Sequence, residues 1–545
     1  MAAYNTPTTK QPLTDLSASQ LLTLLASGEV TSAAAVNAHI ARIQDVDPRL
    51  NAVVVNRFDA ARRDARDADE ALARGKRFGP LHGLPITVKE CFDVTGAPST
   101  FGTSSRRFDN AQQNDPYVQR LVEAGAIIIG KTNVPQALIY NETSNAVYGR
   151  TSNPWNLKRT PGGSSGGEAA IIAAGGSPLG LATDIAGSLR LPAAFCGITS
   201  LKATATRLYD DGYARFLPTP DFPIVSVVGP MAREVDDLAL MLQVLGTAPS
   251  RPLAYWVDQP EPVRDHRAVN VSRLRVAYFA DDGLFTPTTA IQRGVAEAVA
   301  TVKAAGATCT EWLPPDLMRA SDIFVRLLSL DRGSVVRKII RHDPPQSQIA
   351  PLLFFAGRSR STLASAGRVI SAVGQHRFAS QLTNLGYSLD DLPEILALYQ
   401  AYKSDFESAL NTATGGPFDA IICPVTSLPA WTHGSAGMLG SGGVYCVLWN
   451  LLGYPAGVVP VTRVREDEAT PRAASRDLVE RAARSVEAGS AGLPVGVQVI
   501  ARPWQEHIAL AVMRTIQEAA RTREGYPTTP VDLPKRPDQD NDAQG

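Results

Sequence analysis

A helix followed at once by a short apolar strand recurs along this chain, and this pattern restricts the chain to a layered α/β architecture. Asp115 and Pro116 give an N-cap and a first-turn residue for one such helix, and the β-branched run 126–130 follows it. A continuous run of this kind is typical of a strand buried on both faces. The same order returns at 288–312. We therefore predict an α/β fold with a large mixed β-sheet core flanked by helices on both faces.

Further elements follow from the same periodicities. Near the N-terminus one helix opens at Ser17, with Gln20 in capping-box spacing, and a second covers roughly 32–43. Additional strands are predicted at 86–89, 179–183, 225–229, 276–279, 420–423 and 495–500.

No linker-like stretch divides the 545 residues, so we predict a single domain over 13–525. Residues 1–12 and 526–545 are polar and are predicted to be N- and C-terminal tails. Two segments stand apart within the domain. Residues 313–415 are helical in pattern and form either a cover over a substrate pocket or an outer layer, and 463–490 is predicted to be a charged surface insertion.

Charge and cysteine content exclude several classes of function. Lys plus Arg and Asp plus Glu are equal at 53 each, which gives no electrostatic case for binding nucleic acid or an anionic membrane. The 5 cysteines include no Cys-x-x-Cys pair, and no signal-peptide pattern opens the chain, so we expect a cytoplasmic protein with reduced thiols. The apolar stretch 169–187 is interrupted by glycine, proline and aspartate, so no transmembrane segment is predicted. No HExxH or paired-histidine spacing occurs, and no metal is expected.

The densest chemical signal is the glycine-serine stretch Pro161-Gly-Gly-Ser-Ser-Gly-Gly-Glu168, which is open to three interpretations on its own. It matches a nucleophile elbow centred on Ser164, with His433 and His507 as the histidines to examine, but the residues before it are too polar for the required strand. It also resembles a phosphate cradle without the lysine of a P-loop. The third interpretation is a flexible turn.

Two neighbouring motifs decide among these interpretations. Gly180-Leu-Ala-Thr-Asp-Ile-Ala-Gly-Ser-Leu-Arg-Leu-Pro-Ala-Ala-Phe-Cys-Gly197 lies downstream, and Gly83-Leu-Pro-Ile-Thr-Val-Lys-Glu90 lies upstream. Together with the glycine-serine stretch they resemble the amidase signature family, in the branch of fungal acetamidases and fatty acid amide hydrolases. The resemblance extends from about residue 20 to about residue 520, and it implies the amidase signature fold.

The resemblance assigns a Ser-cisSer-Lys triad. It implies that Ser188 is the nucleophile, that Ser164 is a bridging serine whose peptide bond after Gly163 is cis, and that Lys89 is the base. The implied oxyanion hole is formed by the backbone N–H groups of Ile185, Ala186, Gly187 and Ser188. The implied supporting residues are Ser165, Thr183, Asp184 and Arg190.

Lysine can act as a base only when it is uncharged. Lys89 ends the apolar run Ile86-Thr-Val, where burial disfavours the ammonium ion and lowers the pKa. No histidine lies within the three motifs. We therefore expect Ser164 to relay a proton from the nucleophile to the lysine, and later to the leaving amine.

The sequence departs from the family pattern at Ala186, where the family carries a second glycine. A positive φ there would strain the loop, whereas a negative φ would add only a methyl group near the substrate; we expect the negative φ. The family's turn after the signature is also altered, to Ser200-Leu-Lys-Ala203. His82 is predicted to be structural, and Trp431, Tyr445 and Trp449 either line an acyl pocket or pack in the core.

The resemblance implies a hydrolase that cleaves small-molecule carboxylic amides to an acid plus ammonia or an amine through an acyl-enzyme on Ser188, without a cofactor or a metal. Three alternatives remain open: an esterase or acyltransferase with the same triad, an amidotransferase-type subunit in a complex, and an inactive binding scaffold. Family habit implies a homodimer. The acyl and amine specificity and the physiological role are not assigned by these motifs.

Overall fold

Helices account for much of the chain in the computed structural model, which describes residues 11–210, 222–246, 261–440 and 444–533. The α-helices of these ranges are α1 Ala18–Ser27, α2 Ser32–Leu50, α3 Phe58–Ala73, α4 Pro116–Glu123, α5 Gly166–Ala173, α6 Arg190–Cys196, α7 Val235–Leu245, α8 Thr289–Ala304, α9 Leu317–Ser329, α10 Ser334–Ile340, α11 Ala350–Ala356, α12 Arg360–Ala372, α13 His376–Thr383, α14 Leu392–Asn411, α15 Ala436–Leu439, α16 Val444–Leu451, α17 Leu478–Glu487 and α18 Glu506–Ala520.

The strands of the described ranges form one large sheet and one small hairpin. They are β1 Val53–Asn56, β2 Pro85–Lys89, β3 Ile127–Thr132, β4 Ser144–Asn145, β5 Gly149–Arg150, β6 Leu179–Asp184, β7 Thr199–Lys202, β8 Val227–Ala232, β9 Arg275–Tyr278, β10 Thr308–Glu311, β11 Ala420–Pro424, β12 Ala456–Arg463 and β13 Pro494–Ala501. The 11-stranded sheet has the order β1-β3-β2-β6-β8-β7-β12-β13-β11-β9-β10, and β4 pairs with β5.

The large sheet is mixed. Strand β2 runs parallel to both β3 and β6, and β9 runs parallel to β10 and β11, whereas the pairs β6–β8, β8–β7, β7–β12 and β12–β13 are antiparallel. Both faces are covered. Successive residues of β3 belong to different hydrophobic clusters, since Ile127 and Ile129 pack with α2 and α3 while Ile128 packs in the largest cluster on the other side. The predicted α/β class, with helices on both faces of a mixed sheet, is confirmed.

Most predicted elements lie where the periodicity placed them, with shifted ends. Helix α1 has the expected capping box between Ser17 and Gln20, and Asp115 caps α4. Helix α2 extends seven residues beyond the predicted end at Ile43 and contains Pro48. The predicted strand at 225–229 is displaced to β8. Strands β1, β7 and β12 were not predicted from the sequence.

The segments that stood apart in the sequence have distinct structures. Residues 313–415 contain α9 to α14. Within 463–490, α17 buries Val479 and Val486, so this stretch contacts the body of the protein through one face. The N-terminal tail expected at 1–12 falls largely outside the described residues, as does 534–545. Residues 526–533 contact the core, since the Val531 N–H donates to the Ala173 carbonyl oxygen at 2.9 Å. No helix within the described ranges has the length and apolarity needed to cross a membrane.

Two helical glycines differ in the space around them and provide a test of the packing. A Cβ at Gly167 would lie 2.7 Å from the Asn133 carbonyl oxygen and 2.8 Å from that of Ala52, whereas no atom of the described residues lies within 4 Å of a Cβ at Gly437. We expect Gly167→Ala to lower the free energy of unfolding by about 1–3 kcal/mol through overpacking. Gly437→Ala should leave it unchanged or raise it by about 0.5–1 kcal/mol. Urea unfolding measures both, and equal effects would contradict the packing.

Candidate active site

Lys89 lies at the end of β2, inside the sheet. Its side chain has no exposed surface. Its ammonium nitrogen donates to two hydroxyl groups, Ser164 Oγ and Thr183 Oγ1, each at 2.8 Å. Burial lowers the pKa of Lys89, against the opposing charges of nearby acidic groups. The expected desolvated lysine is therefore in contact with the serine of the glycine-rich stretch.

Ser164 lies in the loop that leads into α5. The peptide bond between Gly163 and Ser164 is cis, and Gly162 has a φ of 87°. A Cβ at Gly163 would lie 2.6 Å from the Tyr140 carbonyl oxygen, so only glycine fits at that point. The loop is therefore pressed against the chain around residue 140, and this contact orients Ser164 toward the end of β2.

The loop after β6 brings the remaining predicted residues to the same edge of the sheet. Strands β2 and β6 are parallel neighbours, so Lys89 and Asp184 end at one edge. Ser165 joins the two loops, because its N–H donates to the Ser188 carbonyl oxygen at 3.3 Å and its hydroxyl donates to the Thr183 carbonyl oxygen at 3.4 Å. Ser188 is 7% exposed and Ser164 is 2% exposed, so little of either serine reaches solvent.

A buried ion pair fixes the 184–190 loop. Arg190 Nε donates to Asp184 Oδ2 at 3.0 Å, and both side chains have no exposed surface. Burial alone would raise the pKa of Asp184, but the charge and hydrogen bonds of Arg190 outweigh it and hold the pKa well below its ordinary value. Arg190 also donates to Asn450 Oδ1 and Gln498 Oε1, so strand β13 and helix α16 hold the pair from the other side.

Asp184 is also the acceptor for the loop's own backbone. The Gly187 N–H donates to Asp184 Oδ1 at 2.8 Å, and the Leu189 N–H donates to Oδ2 at 3.2 Å. The N–H of Gly187 is thus already occupied. Within the described ranges, the N–H groups of Ile185, Ala186 and Ser188 have no acceptor. Of the four donors expected from the resemblance, the N–H of Gly187 is therefore already paired with Asp184.

Ala186 fits its position without strain. It is not among the described non-glycine residues of positive φ, so the harmless alternative holds. Gly187, by contrast, has a φ of 106°, and a Cβ there would lie 2.8 Å from the Cβ of Cys446. The second of the two positions therefore requires glycine, and the first does not.

The remaining candidates make the following contacts. His82 Nε2 lies 3.2 Å from the Ala68 carbonyl oxygen. His433 Nδ1 lies 3.0 Å from Glu142 Oε1. Trp431, Tyr445 and Trp449 are buried, with exposed fractions of 0%, 4% and 0%, and they pack in the hydrophobic core.

Two residues that the sequence did not single out support the serine loop. The Thr143 hydroxyl donates to the Gly162 carbonyl oxygen at 2.8 Å and accepts from the Gly166 N–H at 3.1 Å, so it brackets Ser164. Glu168, the last residue of the glycine-serine motif, is fully buried below Lys89 and accepts from threonine hydroxyls. Its place inside the motif was a signal, whereas Thr143 lies in no motif.

The arrangement suits one kind of chemistry. A desolvated amine held by a serine hydroxyl can accept a proton, and a neighbouring loop with unoccupied N–H groups can bind developing negative charge. These are the requirements of acyl transfer by a serine nucleophile.

The chain belongs to the amidase family, whose model matches residues 34–510. It is therefore an amide hydrolase. Fatty-acid amide hydrolase 1 of Sus scrofa is 34% identical over 516 residues, which cover 91% of this chain and 84% of that protein. Acetamidase of Emericella nidulans is 32% identical over 520 residues, which cover 92% of this chain and 89% of that protein.

Solved structures agree on the fold. A fatty acid amide hydrolase structure matches with a TM-score of 0.76 at 24% identity, covering 93% of this chain and 85% of that one. A bacterial aryl acylamidase of the amidase signature family matches with a TM-score of 0.70 at 21% identity, covering 96% of this chain and 100% of that one. The resemblance drawn from the three motifs is confirmed.

Replacing Asp184 with Asn tests the buried ion pair. The change leaves the Arg190 guanidinium buried without its counter-charge, so we expect Asp184→Asn to lower the free energy of unfolding by about 3–5 kcal/mol. The control is Asp59→Asn, which breaks an exposed pair with Arg62 and should leave the midpoint of urea unfolding unchanged. A small effect at position 184 would show that the pair does not stabilise the loop.

Proposed function

We propose that this protein hydrolyses carboxylic amides to an acid and an amine or ammonia through an acyl-enzyme on Ser188. In this proposal Lys89 is the base and Ser164 relays protons between Lys89 and Ser188. Membership of the amidase family supports the overall reaction. The residue roles rest on the motifs and on the geometry of the loops.

One observation carries the proposal: Lys89 has no exposed surface and is hydrogen-bonded at 2.8 Å to the hydroxyl of Ser164. A lysine surrounded by solvent would keep its proton near neutral pH, because its ordinary pKa is 10.5. Burial favours the uncharged amine, which has a lone pair. A hydroxyl partner can then donate to that lone pair, and this is the first step of proton removal from a serine.

Acylation follows from these roles. The Ser188 hydroxyl passes its proton to Ser164 Oγ as Ser164 passes its own proton to Lys89, and Ser188 Oγ bonds to the amide carbon. The tetrahedral intermediate collapses when the C–N bond breaks. The leaving nitrogen takes a proton from Ser164, which is restored by Lys89.

Deacylation reverses the proton path. Water attacks the ester carbon and passes a proton through Ser164 to Lys89. The C–O bond to Ser188 then breaks, and Ser188 recovers a proton by the same route. The net change is one amide and one water consumed, with one acid and one amine released.

We assign the binding of the oxyanion to the backbone N–H groups of Ile185, Ala186 and Ser188. Gly187 is left out of the donor set because its N–H donates to Asp184. Its contribution is to hold the loop at a φ that other residues avoid. Losing one donor of an oxyanion hole typically raises the barrier by about 3–4 kcal/mol, so the loop geometry matters as much as the proton relay.

The surroundings of this loop favour an apolar acyl group. Ile185 and Ala186 are half-buried and pack against an aromatic cluster that includes Phe324 of α9 and Tyr399 of α14. Helices α9 and α14 therefore contribute to the hydrophobic cluster that borders this loop. The names of the relatives include fatty-acid amide hydrolase and acetamidase, so we extend to this chain the hydrolysis of amides with aliphatic acyl groups.

The triad is tested by paired lysine variants and one serine variant. We expect Lys89→Met to lower kcat by about 10²–10⁴-fold, because the proton acceptor is gone. Lys202→Met is the matched control, since Lys202 is also fully buried but, among the described residues, the acceptors of its ammonium group are the carbonyl oxygens of Ala203 and Tyr454. It should retain kcat in the folded variant.

The nucleophile has its own test. Ser188→Ala should abolish both amide turnover and covalent labelling by a fluorophosphonate, while circular dichroism shows the fold intact. The control is Ser427→Ala, which removes a buried hydroxyl that no motif includes and should leave labelling in place. Labelling of the Ser188→Ala protein would overturn the assignment of the nucleophile.

The assignment of Lys89 as the base also predicts how the activity depends on pH. Activity requires uncharged Lys89, so kcat/KM should rise with pH through the pKa of Lys89 and then level off. Because burial lowers that pKa from 10.5, the rise should be centred below pH 10.5. A rate profile from pH 5 to 11 measures the midpoint. A profile flat across this range would contradict a lysine base.

A further inference from the structure

Glu168 is a fully buried carboxyl group between three strands of the large sheet. It accepts from the hydroxyl of Thr87 on β2 and, at 2.6 Å, from the hydroxyl of Thr132 on β3. On β6, a side chain at Gly180 would collide with the Glu168 carboxyl, so the absence of a side chain there provides the space for it. The residues of these three strands therefore form a buried site that accommodates the Glu168 carboxyl group.

The register of the strands puts that place directly under Lys89. Thr87 lies two residues before Lys89, so both side chains point to the same face of β2. Thr132 is the partner of Lys89 in the β2–β3 pairing, and Gly180 is the partner of Thr87 in the β2–β6 pairing. Glu168 thus lies one layer below Lys89 on the same face of the sheet. The segment that holds it is the one that presents Ser164 to Lys89.

The other charged groups around Lys89 are accounted for. Asp184 on β6 is paired with Arg190, and Asp210 accepts from the Ser226 hydroxyl at 2.8 Å. Burial raises the pKa of the Cys91 thiol to about 12, so this group is uncharged at neutral pH.

Glu168 differs from Asp184 because it accepts from uncharged hydroxyls, and it differs from Asp210 because one of those hydroxyls, that of Thr87, belongs to the strand that carries Lys89. The charge that acts on it is that of Lys89. Burial raises the pKa of Glu168 to about 7, which places its titration in the range where an enzyme of this kind would work. The charge of each group affects the pKa of the other, so the buried acid and the buried amine titrate as a coupled pair.

We propose that Glu168 is a positioning residue that sets, through its charge one layer below Lys89, the pH at which the lysine becomes available as a base. The proposal rests on the function proposed above. When Glu168 is ionised it favours the ammonium form of Lys89, and when it is protonated it favours the neutral amine. The pair can therefore hold one proton on the acid and leave the lysine ready to accept another.

The test is the pH dependence of fluorophosphonate labelling of Ser188, which needs no natural substrate. Glu168→Gln keeps the shape and the hydrogen-bonding capacity but removes the charge. The acid limb of the profile is the range in which the second-order rate constant of labelling rises with pH. We expect this limb to move to lower pH by about one unit. At a pH where the wild-type rate constant is still rising with pH, the rate constant of the variant, divided by its own maximum at high pH, should then be about ten times that of the wild type.

The control is Asp237→Asn. Asp237 is another fully buried carboxyl, it accepts hydrogen bonds from Ala18 and Ser19 at α1, and burial also raises its pKa. This change should lower the melting temperature without moving the acid limb. If Glu168 has only a structural role, Glu168→Gln will behave in the same way, and an unmoved limb overturns the proposal.

A second variant covers the case in which Glu168→Gln does not fold. Thr132→Val removes one hydrogen bond to the carboxylate, which favours protonated Glu168 and should shift the limb to lower pH by a smaller amount. A folded Thr132→Val protein with an unmoved limb overturns the proposal as well. Failure of the proposed function would be recognised separately. In that case either the wild-type protein would not be labelled by the fluorophosphonate, or the Ser188→Ala protein would still be labelled.

Discussion

A lysine without exposed surface is the constraint on which the site depends. Water stabilises an ammonium ion strongly, and Lys89 has no water-exposed atoms, so its charge must be supported by protein groups or given up. Its hydrogen-bond partners are the hydroxyls of Ser164 and Thr183. A hydroxyl can accept from the ammonium form and donate to the amine form, so both protonation states find a partner without movement of the chain.

The buried ion pair of Asp184 and Arg190 complements this arrangement. The pair does more than neutralise two charges, because Asp184 also accepts from the backbone of the loop it begins. That use of the carboxylate turns the N–H of Gly187 inward and leaves those of its neighbours unoccupied. The geometry of the loop therefore follows from an electrostatic requirement, and its stability and the oxyanion-binding role proposed for it have the same origin.

Part of this structure was accessible from the sequence and part was not. The apolar run before Lys89 predicted burial of the amine, and the motifs predicted its contact with Ser164. Two of the missed strands have specific causes: β7 begins with the polar residues Thr199 and Ser200, and the apolar run of β12 is interrupted by Gly457 and Pro460, which are uncommon inside strands.

The occupied N–H of Gly187 was also beyond sequence reasoning. It depends on where the Asp184 carboxylate points, which is decided partly by Asn450, 266 positions away. A motif records which residues are near each other along the chain. It does not record which of their polar atoms are already used, and that information arises only when distant strands and helices close around the loop.

The other buried lysines show why burial alone does not make a base. Lys202 is as buried as Lys89, and burial lowers its pKa to about 7, yet its ammonium is held by two carbonyl oxygens. Lys131 donates to the Pro98 carbonyl oxygen and to a serine hydroxyl. Carbonyl oxygens only accept, so they can bind the N–H groups of a lysine but cannot donate to the lone pair of its neutral amine. Among the three, Lys89 alone has hydroxyls as both of its described partners, and a hydroxyl can accept from the ammonium form and also donate to the neutral amine that burial favours.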